Sequence, residues 1–526
     1  MKVLVSDQLG EIGIDMFQSE DGIDVDVKTG LAPEVLLEII GDYDALVIRS
    51  ATQVSADLIA RADKLRVVGR AGIGLDNVDI PAATKRGIIV MNTPTGNVIT
   101  TAEHAISMMM ALTRNIPRGT SSLKAGRWDK KQLQGREVYN KTLGVVGYGK
   151  IGSIVADRAR GLKMKVIVYD PFIPPEQIQS DGFESVSLAD LYKRVDYITI
   201  HVPRIKDTIG LIDRKAFEQM KDGVMLINCA RGGIINENDL DDAIKNGKVA
   251  GAALDVFETE PPGTCSLVES EQVICTPHLG ASTKEAQTNV AVDVAKQIIN
   301  YLKYGTIMNA VNAPSVAGEL LKQIGPYLNL GDRIGSMVAQ LCSGPVTEVH
   351  IGYAGEFQKM DLSPVTTGIL KGLLTPMVKD TVNYVNANVF AKDRGIKVSE
   401  TQTANADEYI NLITVKAVTT QSACSISGTI FGKKQATIVR IDDFKLAMEP
   451  TGHLTYIRCS NKAGIGARIT AMLADKQINI IRMNLGDSED GGSSNVLLAT
   501  DSRIPADVIT DMEATGFVES IALVEL

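Results

Sequence analysis

Cysteine is scarce and scattered: Cys229, Cys265, Cys275, Cys342, Cys424 and Cys459 are the six in 526 residues, and no two form a CxxC pair. This spacing argues against a zinc site and against a disulfide framework, and suits a reduced cytoplasmic chain. Tryptophan occurs once, at Trp128. Positive charge is not in excess, since 54 Lys and Arg face 63 Asp and Glu for a net charge of −9. The chain as a whole therefore has no electrostatic draw toward nucleic acid or anionic membrane, and an anionic ligand needs local basic residues. No apolar run reaches the roughly 20 residues of a membrane span. The longest, Ala105 to Leu112, follows Glu103 and His104 in an amphipathic pattern. The opening Met-Lys-Val-Leu-Val-Ser-Asp enters a strand at once, which leaves no room for a signal peptide.

What is present is organised around Val145-Val146-Gly147-Tyr148-Gly149-Lys150-Ile151-Gly152. An apolar run leads in, a helix-like run leads out, and Val166-Ile167-Val168-Tyr169-Asp170 follows as a second strand ending in an acid. That context is the one a dinucleotide site requires. Gly147 permits a tight turn, Gly149 lets backbone approach a pyrophosphate, and Gly152 lets helix pack on strand. The helix start favours phosphate. Asp170 stands where a ribose hydroxyl can donate to it, and it would repel a 2′-phosphate, so NAD is expected over NADP.

Length suggests three or four domains at about 150 residues each. Residues 1–98 alternate short apolar strands and helices, as a parallel sheet covered on both faces does. A long helix begins at Asn97, and residues 99–285 repeat the alternation. A second long helix, about Lys284 to Tyr304, returns to the first unit, so residues 1–98 and 286–314 form one discontinuous domain. Residues 315–452 hold mixed strands and helices without a glycine fingerprint. Residues 453–526 read β-α-β-β-α-β, a ferredoxin-like sandwich.

Chemistry is expected at strand ends. Arg49 and Arg70 end neighbouring strands of the first unit and make an anion pocket. Gly72-Ile73-Gly74 lacks a third glycine and is rejected as a dinucleotide loop. Asn228-Cys229-Ala230-Arg231 places a guanidinium fork past a strand, suited to a carboxylate. Glu260 lies beside Pro261-Pro262, and His278 follows the last strand of its sheet. A histidine can remove a hydroxyl proton as hydride leaves the carbon, and a carboxylate partner orients it. Singly, each residue also has a structural reading: a solvated glutamate, a capping arginine, a histidine at a strand end.

GYGKIG with Asp170, then NCARGG, DVFETEPP and TPHLGAST, together resemble the D-isomer-specific 2-hydroxyacid dehydrogenases over residues 1–314. The resemblance implies two Rossmann-like domains with NAD bound to the second. Arg231, Glu260 and His278 would be catalytic. Gly147, Gly149, Lys150, Ile151, Gly152, Asp170, Cys229, Ala230, Arg231, Asp255, His278 and Gly280 would contact the cofactor. VGRAGIGLDNVD, MNTPTGN and TAEHA are similar to the branch of that family that oxidises 3-phospho-D-glycerate to 3-phosphohydroxypyruvate, the first step of L-serine synthesis. There Arg49, Arg70 and Asn97 would meet the substrate, and Lys130 stands where a base can reach a neighbouring subunit. Residues 315–452 resemble the intervening domain of that branch's long form, with Arg394, Lys433, Lys434 and Arg440 as a candidate anion site. Residues 453–526 resemble an ACT domain, with Asn461, Gly464 and Asn479 as its regulatory positions and L-serine as the expected effector. Ala463 replaces that domain's usual proline. A homodimer or homotetramer is expected, with no metal. Two other readings share the motifs: a reductase of glyoxylate, hydroxypyruvate or 2-oxoglutarate, and a nicotinamide-sensing corepressor.

Overall fold

The structure, a computed structural model, describes residues 1–314, 319–378, 381–432, 434–487 and 492–526. Five strands form the first sheet: β1 (Lys2–Val5), β2 (Asp24–Val27), β3 (Ala45–Ile48), β4 (Val67–Arg70) and β5 (Ile89–Asn92). All pair in parallel in the order β2-β1-β3-β4-β5. The second sheet contains β6 (Thr142–Val146), β7 (Lys165–Tyr169), β8 (Glu184–Ser185), β9 (Tyr197–Ile200), β10 (Val224–Asn228), β11 (Val249–Leu254) and β12 (Val273–Cys275). It is parallel, in the order β12-β11-β10-β9-β6-β7-β8. Central strands such as β3, β9 and β10 are buried along their whole length. Their unbroken apolar runs are what a sheet covered on both faces demands. The short edge strand β8 was not expected, because its two polar residues carry no apolar signal.

Two long helices stitch the sheets together. Val98–Thr113 leaves the first sheet and buries Ala102, Ala105, Met109 and Leu112 in the core of the second. Lys284–Tyr304 runs back and buries Val290, Val294 and Ile298 against Val3, Val5 and Val67. Thr283 caps its start through the Ala286 amide, and Gly305 ends it in the left-handed region at φ +67°.

The third sheet is mixed and runs β14-β13-β15-β16-β17-β18, from β13 (Val346–Gly355), β14 (Lys397–Thr403), β15 (Asn411–Thr419), β16 (Ala423–Phe431), β17 (Gln435–Ile441) and β18 (Phe444–Met448). The helices Glu319–Leu341 and Ser363–Leu374 cover it. The last sheet, β20-β21-β19-β22, comprises β19 (His453–Ser460), β20 (Ile480–Asp487), β21 (Ser493–Thr500) and β22 (Val518–Glu525). With the helices Ile465–Asp475 and Ala506–Glu513 it forms the ferredoxin-like order. Its central strands β19 and β21 carry buried side chains on both faces, while the edge strand β20 is largely exposed. Ile457, Val496 and Leu498 face its own helices, while Tyr456, Leu497 and Val524 join the core of the third sheet. Among the described residues no helix is long and apolar enough to cross a membrane.

Candidate active site

Both parallel sheets aim the carboxyl ends of their strands into one cleft, where open α/β sheets bind ligands. A cavity of about 690 Å³ there is lined by Arg49, Arg70, Asn97, Ile151, Cys229, Ala230, Arg231, Asp255, Glu260, His278 and Gly280. The expected substrate and catalytic residues are thus brought together from strands far apart in sequence. A second cavity of about 760 Å³ shares Arg70, Arg231, Glu260 and His278.

The glycine turn lies at the switch point between β6 and β9. Gly147 has φ +95°, and a Cβ there would come within 2.6 Å of the His201 carbonyl. A Cβ on Gly152 would strike the Gly147 carbonyl at 2.0 Å, whereas one on Gly149 would meet nothing within 4 Å. Packing therefore requires glycine at 147 and 152, while Gly149 faces open space beside the exposed Lys150, at the uncapped start of the helix Lys150–Gly161. Bare amides next to open space fit a pyrophosphate. Asp170 accepts from the Tyr148 amide at 2.7 Å and from the Phe172 and Ile173 amides, so it also closes the turn.

His278 Nδ1 lies 2.7 Å from Glu260 Oε2. Its backbone is left-handed, at φ +52°. Burial alone would raise the Glu260 carboxyl. The hydrogen bond and charge of His278, the Phe257 amide and Arg231 outweigh that and hold it below the usual value. With Nδ1 committed to a carboxylate, Nε2 is the other ring nitrogen, available for proton transfer.

Arg231 donates from Nε to Asp76 Oδ2 at 2.9 Å and from Nη1 to the Ala230 carbonyl at 2.6 Å. The first bond crosses the cleft between sheets. Arg70 donates to the Arg49 carbonyl at 3.0 Å, but its buried Nη1 has no partner among the described residues. Burial, then the nearby Arg231, push the Arg70 guanidinium down to about 10, still charged at neutral pH. The buried Oδ1 of Asn97 is likewise unpartnered. An orphaned cationic donor and an orphaned acceptor in one cavity point to a ligand that completes them. Cys229 is buried, which pushes its thiol up.

Several functional side chains were not singled out from the sequence. Asp7 shapes the Arg49 loop by accepting from the amides of Arg49, Ala51 and Thr52. Asn77 donates to the Arg49 and Thr52 carbonyls. Arg204 lines both cavities. Asp76 and His104 are the other two. Nothing local marks Asp7, Asn77, Asp76 or His104, because each bonds to a partner far away in sequence.

The regulatory positions lie at two ends of the last sheet. β19 and β20 both run antiparallel to β21, so Asn461 and Gly464 lie at the end near Ser493. Asn479 lies at the other end, where its amide meets Asp501. One chain does not bring the three together. Lys434 and Arg440 are also apart: Arg440 pairs with Lys445 across β17 and β18, while Lys434 precedes the far end of β17, and Arg394 ends the helix Ala387–Asp393. Lys433 lies outside the described residues.

A glycine turn for a dinucleotide, an arginine and a Glu–His pair in one cleft define an NAD-dependent dehydrogenase acting on 2-hydroxy acids. The NAD-binding domain of the D-isomer-specific 2-hydroxyacid dehydrogenases matches residues 106–280. The D-3-phosphoglycerate dehydrogenase intervening domain matches residues 323–442, and the ACT domain matches 453–517. D-3-phosphoglycerate dehydrogenase of Bacillus subtilis is 41% identical over 525 residues, covering 100% of this chain and 99% of the relative. Its namesake in Methanocaldococcus jannaschii is 42% identical over 527 residues, covering 100% of both. The chain belongs to the D-3-phosphoglycerate dehydrogenase family. Among solved structures, D-lactate dehydrogenase from Aquifex aeolicus, complexed with NAD and lactic acid, is 26% identical with a TM-score of 0.53. The match covers 59% of this chain and 100% of that one.

Proposed function

We propose that this protein oxidises 3-phospho-D-glycerate to 3-phosphohydroxypyruvate with NAD, as the first step of L-serine synthesis in the cytoplasm. The observation that carries the reading is the buried, unpartnered Arg70 Nη1 beside Arg49 and Arg231, in the same cavity as the His278–Glu260 pair. A doubly charged phosphate and a carboxylate match three arginines, whereas a small uncharged 2-hydroxy tail leaves Arg70 orphaned.

In this reading Arg49, Arg70 and Asn97 receive the phosphate end. Arg231 holds the carboxylate and the reacting oxygen with the donors that Asp76 and Ala230 leave free. His278 Nε2 takes the hydroxyl proton, and Glu260 stabilises the imidazolium that forms. The bound NAD, held by the glycine turn, Asp170 and the Cys229–Ala230 edge, supplies the hydride acceptor. Asp170 selects NAD by repelling a 2′-phosphate.

L-Serine is the effector of the ACT domain, and Asn461 of one copy would meet Asn479 of another, which makes the response depend on assembly. A homodimer or homotetramer fits this. Leu123 at the end of the helix Ile116–Lys124, Trp128 (80% exposed) and Tyr139 are each exposed along this stretch of chain. That apolar surface supports a subunit contact there. A substrate panel tests the function: turnover with 3-phosphoglycerate should exceed that with lactate, glycerate and 2-hydroxyglutarate. Equal turnover on the unphosphorylated acids would overturn it.

A further inference from the structure

The reaction above uses His278, Glu260 and Arg231, but a second histidine sits close behind them. His104 lies on the helix Val98–Thr113, and its Nε2 is 3.1 Å from Asp255 Oδ1 and 3.2 Å from Thr276 Oγ1. The Asp255 side chain is fully buried. Burial would raise its carboxyl, yet His104, Thr276 and the Leu279 amide hold it below the usual value. Thr276 Oγ1 donates to it at 2.6 Å, and the amides of Leu279 and Gly280 donate at 2.7 and 2.8 Å. With His104 that makes four donors, three of them on Oδ1 and the Gly280 amide on Oδ2. Asp255 is therefore a hub of hydrogen bonds, with Cys229 close by.

What the hub holds is the His278 turn. The two amides belong to the residues directly after His278, and the His278 amide itself donates to the Asp255 carbonyl at 3.0 Å. A histidine at φ +52° is strained and stays there only if its surroundings over-determine it. The helix supplies more of that restraint. Thr101 Oγ1 lies 3.0 Å from the Gly280 carbonyl, and Thr276 Oγ1 lies 3.8 Å from Met108 Sδ. Asn97, Thr101, His104 and Met108 follow the spacing of one helix face. That face starts at a substrate-pocket residue and ends on the loop of the base.

We propose that His104 is a positioning residue: through Asp255 it fixes the left-handed turn that aims His278 into the cleft. The proposal rests on the reading of His278 as the base. His104 touches neither substrate nor cofactor in this account. Loss of its donor leaves Asp255 intact but under-restrained, so His278 drifts and proton removal slows.

The test compares His104→Leu, which keeps bulk without a donor, with His104→Gln, whose amide nitrogen can replace Nε2. His104→Leu should lower kcat about 10- to 100-fold, with KM for 3-phosphoglycerate and NADH affinity within about twofold. The deuterium isotope effect with 2-deuterio-3-phosphoglycerate should rise, because the chemical step becomes slower. A smaller fraction of correctly folded enzyme would not change that effect. His104→Gln should recover most of kcat. Wild-type kcat in His104→Leu would overturn the proposal. So would an unchanged isotope effect with both variants equally impaired. If the wild type favoured another 2-hydroxy acid, the substrate assignment would fail, and the same comparison run on that acid would still decide the role of His104.

Discussion

Arg49, Arg70, Arg231, Glu260 and His278 come from five separate strand ends and two sheets, yet one chain gathers them around a single cavity. Asn461 and Asn479 lie within one small domain, yet β19, which precedes the first, and β20, which follows the second, hold the two residues at opposite ends. The difference follows from topology. Parallel strands with crossover helices put all their carboxyl ends on one side, so residues distant in sequence converge. In the ACT sheet Asn461 follows β19 and Asn479 precedes β20, two strands that run in the same direction with the helix Ile465–Asp475 crossing between them, so the two residues sit at opposite ends. A site in the first arrangement is complete in one chain, and a site built from both asparagines in the second takes another copy.

Substitutions in the two regions should therefore behave differently. The largest effect is expected from His278→Ala, which removes the base and should lower kcat about 1,000-fold or more at unchanged melting temperature. Steady-state rates at saturating NAD check this, and near-normal turnover would break the contrast. Asp255→Asn should come next, costing about 2–3 kcal/mol of stability at neutral pH because a buried carboxylate loses charge-assisted bonds. Its folded carboxyl lies below the unfolded value of about 3.9. The stabilisation is thus present above about pH 4 and fades as pH falls through the folded value. Denaturant midpoints of the two proteins should converge in acid. A difference independent of pH would contradict the ionised hub.

Asp170→Ala should reduce the preference for NAD over NADP by about tenfold, the loss of about 1.4 kcal/mol of charge repulsion. The ratio of kcat/KM values reads it. Because Asp170 also holds three backbone amides, affinity for NAD should fall as well. The smallest effect on turnover is expected from Asn461→Ala and Asn479→Ala, which should leave basal rates unchanged while weakening serine inhibition. Mixing the two variants should restore part of the inhibition, since a shared assembly can then contain one site with both asparagines. No recovery on mixing would place the serine site within one chain. Deleting residues 453–526 is a poor substitute, because Tyr456, Leu497 and Val524 complete the core of the preceding domain.

Much of the cleft was legible because its parts are local. The Gly147 turn needs a positive φ, the apolar run before it reads as a buried strand, and the Arg231, Glu260 and His278 loops each follow such a strand. The expected helix from Lys284 to Tyr304 matched closely, since its apolar spacing and its closing Gly305 are both visible in sequence. What supports these parts was not legible. Asp76 reaches Arg231 across 155 positions and His104 reaches Thr276 across 172. No periodicity or spacing announces a hydrogen bond of that range. The separation of Asn461 from Asn479 depends on the direction in which β19 and β20 run, which the residues themselves do not carry.

The central claim is that Arg49 and Arg70 read a phosphate. The direct measurement is kcat/KM for 3-phosphohydroxypyruvate and for hydroxypyruvate with NADH, in the wild type and in Arg70→Gln. The wild type should prefer the phosphorylated acid, and Arg70→Gln should lose about 100-fold on it but only a few-fold on hydroxypyruvate. Equal losses on both substrates would show that Arg70 supports the cleft without recognising phosphate.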